Sequence, residues 1–98
     1  MTQYVVGHLK CLKNADRMAE YRAVAAEALA KHGGKIVVPP TPPERVEGEA
    51  EPPKAIVLLS FPTAKAAHAW SHDPELTPVH EMRRAGADIS FFLLNHDT

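Results

Sequence analysis

The first cluster of apolar positions is Tyr4-Val5-Val6-Gly7-His8-Leu9, a β-branched and aromatic segment that predicts a strand. A different rhythm follows. Met18, Tyr21, Ala25, Ala28 and His32 recur at steps of three and four, so they share one face of a helix running to about Lys31. Asn14 is placed to cap that helix, and Asp16 puts negative charge in its first turn. Its many alanines favour helix and allow close approach to a sheet. Gly33-Gly34 ends it, supplying the left-handed residue that a helix C-terminus needs.

Lys35 to Val38 predicts a second strand, interrupted by Pro39-Pro40-Thr41-Pro42-Pro43. Proline cannot donate to a ladder, so this segment is expected at an edge, a bulge or a turn. Glu44 to Glu47 is positioned to resume pairing before Gly48 turns the chain. After a polar loop, Lys54 to Phe61 predicts a third strand whose centre, Ala55-Ile56-Val57-Leu58-Leu59, is apolar on both faces. Pro62 breaks it, and Thr63 caps a second helix over Ala64 to Ser71. Asp73-Pro74 and Thr77-Pro78 each pair a capping residue with proline at a first helical position. They predict a loose turn and then a short third helix to about Ala85, with Gly86 permitting the exit. Ile89 to Leu94 predicts a fourth strand.

The order β-α-β-β-α-β predicts an α+β, ferredoxin-like fold: a four-stranded antiparallel sheet with helices on one face, in a single domain over residues 1–98. A sheet with one wet face should alternate apolar and polar residues, yet the third and fourth strands do not. Something must cover the second face, and the simplest cover is a second copy, sheet against sheet. A homodimer is therefore expected.

Bulk properties narrow the partners. The net charge of −1 comes with no basic run, so no nucleic-acid partner is expected. No stretch approaches the ~20 apolar residues of a membrane span, so no membrane is expected either. The single cysteine, Cys11, suits a reducing compartment, and the N-terminal residues lack the pattern of a signal peptide. A cytoplasmic protein is the expectation.

In order along the chain, Tyr4-Val5-Val6-Gly7-His8, Glu20-Tyr21, Gly33-Gly34, Glu47-Gly48, Phe61-Pro62 followed by Ala67-x-x-Trp70, and Arg83 make a recognisable series. With this series the chain resembles the domain of unknown function 1330 family, within the dimeric α+β barrel superfamily. The resemblance implies a homodimer of ferredoxin-like units. Asn14 and Ala15 stand where the family often has Asp-Pro, and Met18 where an aromatic is common. Ser71-His72-Asp73-Pro74-Glu75-Leu76 lacks two tyrosines of the family pattern. The resemblance transfers no reaction. Superfamily relatives include cofactor-independent monooxygenases and small isomerases, an analogy at the level of fold.

Candidate chemistry rests on a few side chains. His68 and His72, four apart on one helix, have a spacing that can bind metal, but the strong zinc motifs add a third ligand or an internal glutamate. No metal and no cofactor are expected. His8, near mid-strand and on the side expected to face the partner, is either a general base or an interface histidine. His72 is the second candidate base. Tyr21 and Trp70 are either core or the walls of a ligand site. Arg83 either clamps an anion or bonds the last carbonyls of its helix or Glu81. Glu47 is either a carboxylate at a cleft or a strand-end residue ordering the turn. Three functions stay open. The first binds a small, partly apolar molecule in a sheet–helix cleft, the second is a cofactor-independent enzyme using a histidine base, and the third has a collapsed interior and a structural role.

Overall fold

A computed structural model of the chain describes residues 2–96, so Met1 and the last two positions of the expected domain lie outside the described residues. Strand β1 spans Gln3–Leu12 and helix α1 spans Ala15–Ala30; strands β2 and β3 span Lys35–Thr41 and Ala55–Phe61. Helix α2 covers Ala64–His72, a 3-10 turn covers Pro74–Leu76, helix α3 covers Thr77–Gly86 and strand β4 covers Ala87–Leu94. The strands form one four-stranded sheet in the order β2-β3-β1-β4, and every neighbouring pair is antiparallel. This is the ferredoxin-like α+β arrangement.

Local chemistry sets the helix boundaries. The Asn14 side chain accepts from the Arg17 amide at 3.1 Å to open α1, and Thr63 accepts from the Ala66 amide at 3.0 Å to open α2. Asp73 Oδ1 accepts from the Glu75 amide at 2.9 Å and starts the 3-10 turn. Thr77 does not cap α3; Leu76 holds that position with no side-chain cap, so Thr77 and Pro78 are the first residues inside the helix. Leaving α1, the chain reverses through Gly33, whose φ of 75° suits glycine.

The prolines do not end β2. The strand runs through Pro39 and Pro40 to Thr41, with register shifts after Ile36 and after Val38. The prolines are tolerated because they fall in the shift between Val38 and Thr41 of an edge strand, where neither proline is paired in the ladder. Glu44 to Glu47 does not resume pairing; it lies in the connection to β3, and Gly48 turns the chain with a φ of 94°.

One sheet face is covered by the helices. Val5 and Leu9 of β1, Ala55, Val57, Leu59 and Phe61 of β3, and Ala87 of β4 are buried there. The core divides in two. A larger cluster joins Val5, Leu29, Val57, Leu59, Phe61 and Trp70, and a smaller one joins Leu9, Met18, Ala55 and Ala87. The opposite face is open. Across it, Val38, Leu58, Val6 and Phe92 stand in one row by cross-strand pairing, so an apolar band spans all four strands.

Candidate functional site

The two core clusters leave a gap between them. A cavity of about 210 Å³ opens between α1 and the sheet. Its lining draws Leu9, Met18 and Ala55 from the small cluster and Leu29, Val57 and Leu59 from the large one, together with Ile89 and Phe91 of β4 and Ile36 and Pro40 of β2. Helix α1 contributes Tyr21, Arg22 and Ala25. The gap exists because the helix presents an alanine where a larger side chain would reach the sheet. The lining is apolar except for the Tyr21 phenol and the exposed Arg22 guanidinium.

Behind the Tyr21 and Phe91 walls lies a buried cation. Arg83 is 7% exposed. Its guanidinium carbon stands 5.0 Å from the Phe91 ring centre, 5.6 Å from that of Trp70 and 5.8 Å from that of Tyr21. One Nη donates to Nδ1 of His80 at 2.8 Å. His80, itself buried, donates from Nε2 to the Trp70 carbonyl at 2.9 Å. An arginine cannot accept, so this pairing fixes His80 as the neutral tautomer with its proton on Nε2. Burial pushes the His80 pKa below its ordinary value, and the nearby Arg83 and Arg84 charges push the same way. Burial likewise lowers the Arg83 pKa, opposed by the neighbouring Tyr21 phenol. The Arg83 Nε is buried and has no hydrogen-bond partner.

The residues singled out in the sequence separate into those this region collects and those it does not. Tyr21, Trp70 and Arg83 come together. Tyr21 lines the cavity, whereas Trp70 is 4% exposed and packs in the core against Phe61, His80 and Phe91. Arg83 turns inward and bonds His80 instead of Glu81 or the last carbonyls of α3. Glu47 is exposed in the loop after β2 and does not line the cavity. His8 is exposed on the open sheet face, edge-on to the Phe92 ring at 5.4 Å. His72 is exposed at the end of α2, where its Nδ1 donates to the His68 carbonyl at 2.8 Å. Neither histidine lines the cavity. Among the described residues no group of three or more His, Cys, Asp or Glu side chains is placed to hold a metal ion. No described helix is long and apolar enough to cross a membrane. Sequence reasoning passed over His80 as a partner for Arg83. The signal was their spacing of three on one helix, which places them on a common face.

Fold and cavity together define a ferredoxin-like α+β protein with an apolar cleft under its first helix. The chain belongs to the domain of unknown function 1330 family, whose model matches residues 2–96. It is similar in structure to a protein of unknown function from Rhodopseudomonas palustris, at 16% identity and a TM-score of 0.74, over 99% of this chain and 83% of that one. A dimeric ferredoxin-like protein of unknown function from Jannaschia sp. CCS1 is similar at 18% identity and a TM-score of 0.68, over 97% of this chain and 99% of the other. A cofactor-independent oxygenase from Streptomyces nogalater is similar at 12% identity and a TM-score of 0.56, over 99% of this chain and 93% of the other. No functionally curated protein matches the sequence.

Proposed function

We propose that this protein is a homodimer that binds a small, partly apolar molecule in the cleft between α1 and the sheet. The cavity carries this reading. A void of about 150 Å³ lined by apolar side chains takes up benzene, so one of about 210 Å³ accommodates a ring with a short chain. Close-packed interiors rarely keep voids much larger than a water molecule, and a well-formed apolar cleft with a few polar groups at its edge is a default binding-site candidate. The dimer is supported by the apolar band on the open sheet face and by the dimeric Jannaschia relative. An exposed lone cysteine, Cys11, is compatible with a reducing compartment such as the cytoplasm. The oxygenase activity of the Streptomyces protein is not carried over, because likeness at 12% identity concerns the fold alone. The cavity lining offers no histidine or carboxylate as a base.

The test is a binding measurement with a neutral apolar probe, hydrocinnamyl alcohol, by titration calorimetry, alongside native mass spectrometry for retained small molecules. Wild-type protein is expected to bind the alcohol in the millimolar range or tighter. Ala25→Phe, which fills the cavity, is expected to abolish that binding while the protein stays folded. Wild-type protein that binds no such probe, or an Ala25→Phe variant that binds it equally well, removes the cleft reading.

A further inference from the structure

We infer that the cleft's ligand is a monocarboxylate, and that Arg83 holds its carboxylate from behind the Tyr21–Phe91 wall; this rests on the cleft being the binding site. The cavity and the buried arginine share two rings. Tyr21 and Phe91 line the cavity on one side and stand over the Arg83 guanidinium on the other. An apolar body in the cavity therefore has a cation one side chain beyond it.

The cation is incompletely matched. Arginine is almost never fully buried unless paired, and Arg83 is 7% exposed. No carboxylate of the described residues forms an ion pair with it. Its hydrogen-bond partners, His80 and the Tyr21 phenol, are neutral, and its Nε–H is buried without a partner. Three aromatic faces offset part of the desolvation cost but supply no acceptor for that N–H. A carboxylate has two oxygens in the plane and at the spacing of a guanidinium edge, so it would occupy Nε and the neighbouring Nη together. His80 acts as a positioning residue. By accepting from one Nη and anchoring on the Trp70 carbonyl, it holds the guanidinium plane fixed and leaves the Nε–H unfilled.

Tyr21 is the less enclosed part of the wall, and its phenol holds Arg83 by a hydrogen bond that a carboxylate would replace. It is half-buried on α1 at the cavity edge, whereas Trp70, on the other side of the cation, is locked in the core. A swing of the phenol would join cavity and cation. A monocarboxylate suits the site better than a phosphate, because a single buried cation inside an apolar wall balances one negative charge and not two. The exposed Arg22 at the cavity defines the opposite orientation, with the acid outward in solvent.

The experiment compares hydrocinnamate with hydrocinnamyl alcohol, which share a shape and differ in charge. Wild-type protein is expected to bind the acid on the order of tenfold to a hundredfold more tightly. Arg83→Met is expected to erase that preference with binding of the alcohol kept, and Arg22→Gln to retain it. Equal affinities in wild type, or a preference that survives in Arg83→Met, overturns the inference while the cleft stands. Binding of neither compound removes the cleft reading itself. If Arg83→Met does not fold, heteronuclear NMR of wild-type protein decides. The Arg83 Nε–H resonance is expected to move downfield at saturation with the acid and to stay in place with the alcohol; no movement with the bound acid overturns the inference.

Discussion

At the residue scale, the last position of α3 shows why a small side chain is required where no unusual dihedral is. Gly86 is buried and its φ is not positive. A Cβ placed there would lie 2.8 Å from the Met18 backbone nitrogen and 2.5 Å from Met18 Cγ. The side chain can turn away, but the nitrogen cannot, because it donates to the Asn14 carbonyl in the first turn of α1. The Gly86 carbonyl also accepts from the Lys13 and Asn14 amides at 2.8 and 3.0 Å, pinning the start of α1 to the end of α3. Alanine would gain about 0.5–1 kcal/mol of helix propensity but force an overpacking cost of about 1–3 kcal/mol. Gly86→Ala is expected to lose about 1–2 kcal/mol net by denaturant unfolding, and a domain of this size shifts its Tm by about 4–8 °C per kcal/mol. An alanine variant as stable as wild type would show that the two helices separate freely. In the sequence Gly86 reads only as a helix exit, because proximity to Met18 is a tertiary fact. The same limit hid the inward turn of Arg83. Tyr21 was legible because helical periodicity marks its face. Arg83 stands beside Arg84 in a last turn, where cations ordinarily complement the helix dipole, and only the fold brings three aromatic rings around one of the two.

At the scale of elements, the helix layer is tied together by one carboxylate. Asp73 sits between α2 and the 3-10 turn, with its side chain 8% exposed. Its Oδ2 lies 2.8 Å from Lys31 Nζ and 2.8 Å from His32 Nε2, both at the end of α1, while Oδ1 caps the turn. The hydrogen bond from Lys31 and then that from His32 hold the Asp73 pKa well below the ordinary carboxylate range. Its folded pKa is depressed, so its stabilisation is fully present above the unfolded value of about 3.9 and is lost as pH falls below it. Asp73→Asn keeps the cap acceptor and removes the charge. Wild type is expected to melt higher than this variant at neutral pH, with a gap that closes as pH falls below about 4. Carboxylates remote from this cluster cancel in the difference. A gap that does not change with pH would mean the ion pairs contribute nothing. The cap role was legible from Asp-Pro, since it depends on neighbours in sequence. The link to Lys31 and His32, some forty residues away, was not. For β2 the proline cluster marks an edge and a break in pairing correctly, since Pro39 and Pro40 sit in a register shift, but the strand continues past them to Thr41.

At the scale of the whole molecule, the open sheet face remains to be covered. Phe92 is 53% exposed and Leu94 52%, with Val38 at 42% and Tyr4 at 37%. Cross-strand pairing of Val6 with both Leu58 and Phe92 makes the central part of this surface continuous, and Tyr4 pairs with Leu94 beside it. This two-sided apolar character is legible in the sequence of the third and fourth strands, because alternation is a property of sequence alone. The more apolar alternate set of β1 is expected toward the helices, with His8 on the partner side, and β1 follows that expectation. Val5 and Leu9 go to the core, and His8 goes to the open face beside Phe92. On two-fold symmetry every residue of the interface is buried twice, so Phe92, half-buried already in one chain, would contribute about 1.5–3 kcal/mol over both copies. An aspartate there would lose that amount and place two carboxylates in an apolar contact without partners, which costs further. Wild-type protein is expected to sediment as a dimer at micromolar concentration, and Phe92→Asp as a folded monomer with unchanged near-ultraviolet circular dichroism. Leu58→Asp, on the same row, is expected to behave alike. A folded wild-type monomer at that concentration would refute the dimer. Dimers of both variants would move the interface to another face and leave the apolar band unexplained.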